Sequence, residues 1–174
     1  MARIPVIEYE NACEQARARF DNQVKTNGRM TNMKKTLLHS LPAFDALMLW
    51  YPLRNEARKF LSEREINIFC YAISTQNDCV ICSLFFRKIM VDSNGSADNS
   101  KLSPREQALL DFGKQCAADQ SAINDGMFAA LKEHFNDEQT VLLTAFAGLM
   151  IATNLINNAL KVDLDTYLEA YANL

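Results

Sequence analysis

The sequence predicts an all-α, single-domain protein. Apolar residues recur at helical spacing along almost the whole chain, and no strand-like alternation of six or more residues occurs. The 174 residues include only 5 Gly and 4 Pro, few for a turn-rich β protein. Capping signals recur at intervals that suit about eight or nine helices. The length suits one domain, residues 1–174, that buries about two-thirds of the surface its unfolded chain exposes.

In chain order, Ile7, Cys13, Ala16, Phe20 and Val24 approximate one face of a first helix. Leu41, Phe44, Leu47, Met48 and Tyr51 mark another. Ser62-Glu-Arg-Glu65 is a capping box, with Ser at N-cap and Glu at N3. Asn77 or Asp78 caps a helix that runs to about Val91. Asp92 to Ser100 reads DSNGSADNS, a polar turn-former cluster, so residues 92–103 form a loop between two helical halves. Both halves are rich in apolar faces and are expected to share one core. Ser103-Pro104-Arg-Glu106 is a second capping box, with Pro104 at N1 where its missing N–H costs nothing. Asn136 with Gln139 opens a helix from about Asn136 to Leu160. Its middle, VLLTAFAGLMIA, is apolar nearly all round, the pattern of a helix buried on every side, either in the monomer core or at an oligomer interface.

The charge of −3 provides no basic field for nucleic acid or an anionic membrane. The N-terminus MARIPVIEYENAC lacks an apolar signal region. Val141 to Ala152 is too short to span a bilayer. The expected location is the cytoplasm, where five cysteines do not make a disulfide framework. The only histidines, His39 and His134, cannot build a His-rich metal centre, and no cofactor is expected. His39 reads as structural, and His134 as a ring near a helix C-terminus.

Cys79-Val80-Ile81-Cys82 falls in the first turn of its helix. Free N–H groups and the macrodipole there stabilise a thiolate by roughly 0.3–2 kcal/mol. That lowers a thiol pKa by about 0.2–1.5 from its reference near 8.5. The result is a moderately reactive dithiol. The bland alternative is that both cysteines are small apolar filler. A structural zinc site would need two further ligands, and no second CxxC or paired His exists to supply them. Cys13, Cys70 and Cys116 read as filler, and Trp50-Tyr51 as core or interface. Asn154, Asn157 and Asn158 stand out on an apolar helix, and Asn154 is expected to fix a helix contact.

The stretch LSEREINIFCYAISTQNDCVIC resembles the alkylhydroperoxidase D (AhpD)-like group of the carboxymuconolactone decarboxylase family. The resemblance continues at KTLLHSLPAFDAL, LSPREQALLDFGKQ and FAALKEHFNDEQTVLLTAFAGLMIATNLINNAL, covering about Asn32 to Asp165. It implies an all-helical fold, a homo-oligomer (trimer or hexamer) and a redox CxxC. It also implies that Cys82 attacks peroxide and Cys79 resolves the disulfide. The family's peroxidase motif, Glu-x11-Cys-x-x-Cys-x-x-x-His, is altered. Asn67 stands in place of Glu, and Phe86 in place of His. Glu63 and Glu65 are out of register, since a two-residue offset turns a side chain about 200° around a helix.

Neither Asn67 nor Phe86 exchanges a proton near neutral pH, and the relay they replace is worth about 10²–10⁴-fold. Phe86 shares a face with both cysteines and dries the dithiol, which raises a thiol pKa. Tyr71, one turn from Asn67, or a water held by Asn67, is a candidate donor to the dithiol. The expected function is a thiol–disulfide oxidoreductase or peroxidase-like enzyme using Cys79 and Cys82 with rerouted acid–base help. Its partners would be a thiol reductant and a small-molecule or disulfide substrate. The alternatives are a non-catalytic redox-responsive or structural oligomer, and an enzyme acting on a small carbon substrate without cysteine chemistry.

Overall fold

A computed structural model describes residues 1–94 and 101–172. Among the described residues there are nine α-helices and no strand. They are α1 (Glu14–Asn27), α2 (Asn32–Leu37), α3 (Leu41–Met48), α4 (Trp50–Ala57), α5 (Glu63–Gln76), α6 (Val80–Asn94), α7 (Pro104–Ala118), α8 (Asp125–Lys132) and α9 (Asp137–Leu160). A short 3-10 segment, Thr166–Tyr171, returns across α6.

Several boundaries differ from the periodicity, each for a physical reason. The single helix expected over Leu41 to Tyr51 breaks at Leu49 into α3 and α4. Pro52 explains the break. It has no N–H, and its ring clashes with the carbonyl four residues back, which belongs to Met48 at the end of α3. On α1, Ala16 and Gln23 face inward, while Val24 is exposed. Cys13 precedes the helix at its N-cap and is exposed rather than packed. α6 continues to Asn94, so residues 92–94 of the expected loop are helical. Residues 95–100 of that loop lie outside the described residues.

Both Ser capping boxes form as read. The two helix starts, LSERE and LSPRE, are also tied to each other. Arg64 Nε donates to Glu106 at 2.7 Å, and Arg105 Nε donates to Glu65 at 2.6 Å. Arg105 further donates to the carbonyls of Phe60 at 2.6 Å and His134 at 2.9 Å, with its guanidinium 4.2 Å from the Phe135 ring centroid. Each capping glutamate is thus held by the arginine of the other helix. This sets α5 against α7 at one end. Along their length, Gly113 permits close approach, because a Cβ there would sit 3.0 Å from the Phe69 ring.

α9 is capped by Asn136, whose side chain accepts from the Gln139 N–H at 2.9 Å. Its buried residues Leu143, Phe146, Ala147 and Met150 join the core built around α5 and α7. Leu149, Ala152 and Ile156 pack on a second cluster made by Ala12, Ala16, Leu37, Leu38, Phe44 and Leu47. α9 therefore joins the two apolar clusters. Its 24 residues and mean hydropathy of 1.6 over one window are long and apolar enough for a membrane helix, yet one face is packed in this core. It is not enclosed on every side of the subunit: Val141 and Leu155 are exposed.

Candidate active site

The site is built on the turn between α5 and α6. Asn77 ends α5, and Asp78 follows in the left-handed conformation with φ 51°. The Asp78 N–H bonds the Thr75 carbonyl at 3.1 Å, and the Cys79 N–H bonds the Ser74 carbonyl at 2.9 Å. These two bonds make a Schellman motif with aspartate at the position glycine usually takes. The chain reverses at once into α6. The Cys79 carbonyl accepts the first intrahelical bond, from the Ser83 N–H at 2.9 Å. Cys79 itself is therefore the N-cap of α6, a role the sequence reading placed on Asn77 or Asp78. The turn is held from outside by Asn158 of α9, which donates to the Asn77 carbonyl at 2.7 Å.

An N-cap side chain accepts from the N–H groups of the first turn. At Cys79 that acceptor is sulfur, and the backbone N–H groups of Ile81 and Cys82 point to it. The Cys82 thiol also donates to it. Asn157 of α9 completes the cluster, donating from Nδ2 to Cys82 Sγ at 3.2 Å and to Cys79 Sγ at 3.6 Å. Hydrogen bonding from the Cys82 thiol, the backbone N–H groups and Asn157 draws Cys79 down to about 7, against its burial. Cys82 moves the other way, well above the ordinary thiol range, because it shares its proton with Cys79 and is buried beside that charge. The pair thus gives up one proton near neutrality and holds the second.

Access divides the two sulfurs. Cys79 is fully buried, while Cys82 is 6% exposed and opens on a pocket of about 110 Å³. The pocket is mostly apolar, with Trp50, Phe85, Phe86 and Met150 in its wall. Phe86 is in the core and beside Cys82 in the lining. Asn67 is buried within α5 and does not line the pocket. Tyr71 does not line it either, and its hydroxyl accepts from Arg87 Nη2 at 3.4 Å. Glu65 serves the α5 cap and Arg105.

Among the described residues, Cys70 and Cys116 have no such donors. Burial raises Cys70 far above the ordinary range and pushes Cys116 up to about 11. His39 Nε2 lies 2.8 Å from the Pro5 carbonyl, tying the N-terminal segment to α2. The residue that the sequence reading underrated is Asn157. Its signal was present, since three asparagines on an apolar helix need partners. Spacing within one helix could not show that the partners were sulfurs 75 and 78 positions away. Both amide atoms of Asn154, one turn before, are buried without a partner among the described residues.

The all-helical architecture is the AhpD-like fold, shared with several solved structures. The chain is similar to an uncharacterized peroxidase-related protein with an alkylhydroperoxidase AhpD core from Ralstonia eutropha JMP134. That match has a TM-score of 0.73 and 22% identity, covering 96% of this chain and 94% of the other. It is also similar to the debrominase Bmp8, at TM-score 0.77 and 14% identity over 98% of this chain and 96% of the other. A cysteine-to-alanine variant of Bmp8 in complex with 2,3,4-tribromopyrrole matches with the same TM-score and identity. No family model and no curated protein sequence matches this chain.

Proposed function

We propose that the protein is a dithiol oxidoreductase that reduces a small, largely apolar molecule, with Cys82 attacking and Cys79 resolving. The observation that supports this most is the division of labour between the sulfurs. The buried Cys79 holds the charge, and the pocket-facing Cys82 is hydrogen-bonded to it. A protein disulfide is a poor fit to a sulfur at the wall of so small a pocket, so the substrate class narrows to small molecules.

The same hydrogen bond answers the loss of the family's relay. With an organic hydroperoxide, the Cys82 proton passes to the Cys79 thiolate. Cys82 sulfur then attacks the terminal peroxide oxygen, and the O–O bond breaks. The departing alkoxide takes the proton from Cys79 and leaves as alcohol. Cys79, again a thiolate, attacks the Cys82 sulfenic acid, and hydroxide leaves as the disulfide forms. An external thiol reductant restores the pair by exchange. In this scheme Cys79 is both internal base and resolving thiol. Asn157 steadies negative charge on either sulfur.

The test is turnover of cumene hydroperoxide with dithiothreitol as reductant. Wild type is expected to turn over, Cys82→Ser to be inactive, and Cys79→Ser, which lacks the internal base, to react with peroxide at least about tenfold more slowly. Full activity in Cys82→Ser, or no reaction of either cysteine with peroxide, would defeat the reading. A second reductive chemistry is favoured by the aromatic pocket wall together with the debrominase likeness, namely removal of halide from a halogenated aromatic ring. Halide release from 2,3,4-tribromopyrrole under the same reductant decides between them. We also propose a cytoplasmic homo-oligomer, with the exposed Val141 and Leu155 face of α9 as the contact.

A further inference from the structure

The pocket that Cys82 enters has a second polar region that the dithiol chemistry leaves unused. Lys34 of α2 is 6% exposed, and its ammonium donates to the Tyr51 hydroxyl at 2.7 Å. It forms no ion pair among the described residues. An ammonium has three donors, so the Tyr51 bond accounts for one. Asp165, between α9 and the last 3-10 segment, uses Oδ1 to accept from the Asn32 N–H at 2.9 Å. Its Oδ2 is buried with no partner among the described residues. Lys34, Tyr51 and Asp165 all line the pocket that holds Cys82. A buried polar atom left unpaired costs about 1–3 kcal/mol, so such groups are ordinarily satisfied.

We infer that Lys34 and Asp165 form a head-group site for a neutral small molecule whose hydroxyl-type group accepts from Lys34 and donates to Asp165, with its apolar body toward Cys82. This rests on, and narrows, the reading of the pocket as a substrate site. The orphaned Oδ2 decides against an anion. A carboxylate would fill the Lys34 donors but bring no donor to Asp165, and would add a like charge beside it. A plain hydrocarbon would satisfy neither. A phenol or alcohol satisfies both, and the aromatic lining favours a ring.

The chain has one tryptophan, Trp50, and it lines this pocket, so its emission reports occupancy there. Three matched probes are titrated into the reduced protein: 4-propylphenol, propylbenzene and 4-propylbenzoate. The phenol is expected to bind about tenfold tighter than propylbenzene, the size of one charge-assisted hydrogen bond, and tighter than the benzoate. Lys34→Met and Asp165→Asn are each expected to bring phenol and propylbenzene within about twofold. Asp165→Asn keeps an oxygen for the Asn32 N–H, and circular dichroism checks that both variants are folded. Equal binding of phenol and propylbenzene, tightest binding of the benzoate, or binding of none of the three overturns the inference. Cys82→Ser must keep the preference. Preference without peroxide or halide turnover leaves the site standing and removes the oxidoreductase reading, while turnover without preference does the reverse.

Discussion

Asn157 is the side chain outside the CxxC that donates to both sulfurs. Its Nδ2 reaches both sulfurs, so Asn157→Leu removes a donor to a thiolate without opening a large cavity. A hydrogen bond to a charged group contributes about 1.5–3 kcal/mol. The midpoint for forming the first thiolate of the pair is therefore expected to rise from about 7 by roughly one unit or more. Thiolate absorbance in the far ultraviolet, taken as the difference from the Cys79→Ser, Cys82→Ser double variant, measures it, and an unchanged midpoint would mean the backbone N–H groups suffice. Asp78 offers a test of the opposite kind. It holds a left-handed conformation that glycine adopts freely. Asp78→Gly is expected to stabilise the fold by about 0.5–1 kcal/mol in urea denaturation, the scale of the strain relieved at such a C′ position.

At the level of elements, the reciprocal arginine–glutamate pairs at the starts of α5 and α7 are a structural unit. Arg105 reaches Glu65, two backbone carbonyls and the face of Phe135 at once. Arg105→Met keeps much of the aliphatic stem but strands two carbonyls and a carboxylate. It is expected to cost about 2–3 kcal/mol in chemical denaturation. The corresponding loss at Arg64 is expected to be smaller, because among the described residues its one side-chain bond is to Glu106. Gly113→Ala acts on the same helix pair further along. Its new methyl group meets the Phe69 ring and, at 3.2 Å, the Phe69 carbonyl, and is expected to cost about 1–3 kcal/mol.

For the whole molecule, the dithiol links stability to pH with a definite sign. In the folded protein the pair releases one proton near 7 and retains the other, while in the unfolded chain both thiols titrate near 8.5. Between about pH 7 and 8.5 the unfolded chain binds more protons than the folded one, so stability rises with pH. Above about pH 9 the unfolded chain has lost both protons and the folded one keeps one, so stability falls. Denaturant midpoints measured from pH 6 to 10 are expected to pass through a maximum near 8.5. In the Cys79→Ser, Cys82→Ser double variant, this maximum should flatten by about 1–2 kcal/mol. A maximum that persists in that variant would place its origin elsewhere.

Much of the fold was legible in residues close together in the chain. Ser62 with Glu65, Ser103 with Glu106, and Asn136 with Gln139 mark three helix starts because capping depends on a three-residue spacing. The CxxC was legible as a dithiol near a helix start for the same reason. Its electrostatics were not. Sequence spacing put Asn67, Tyr71 and Phe86 near the cysteines; Phe86 lines the pocket beside Cys82, but Tyr71 turns to Arg87 and Asn67 is buried away from the pocket. Local chain chemistry determines where helices begin and which residues can carry charge. Packing decides which groups meet. The fold brings Asn157 across from α9 onto both sulfurs, and buries Cys79 while leaving Cys82 at the pocket. It also sets Lys34 and Asp165, 131 positions apart, around the same space. Those juxtapositions come from burying the faces of α9, α5 and α7 together, and no local spacing encodes them.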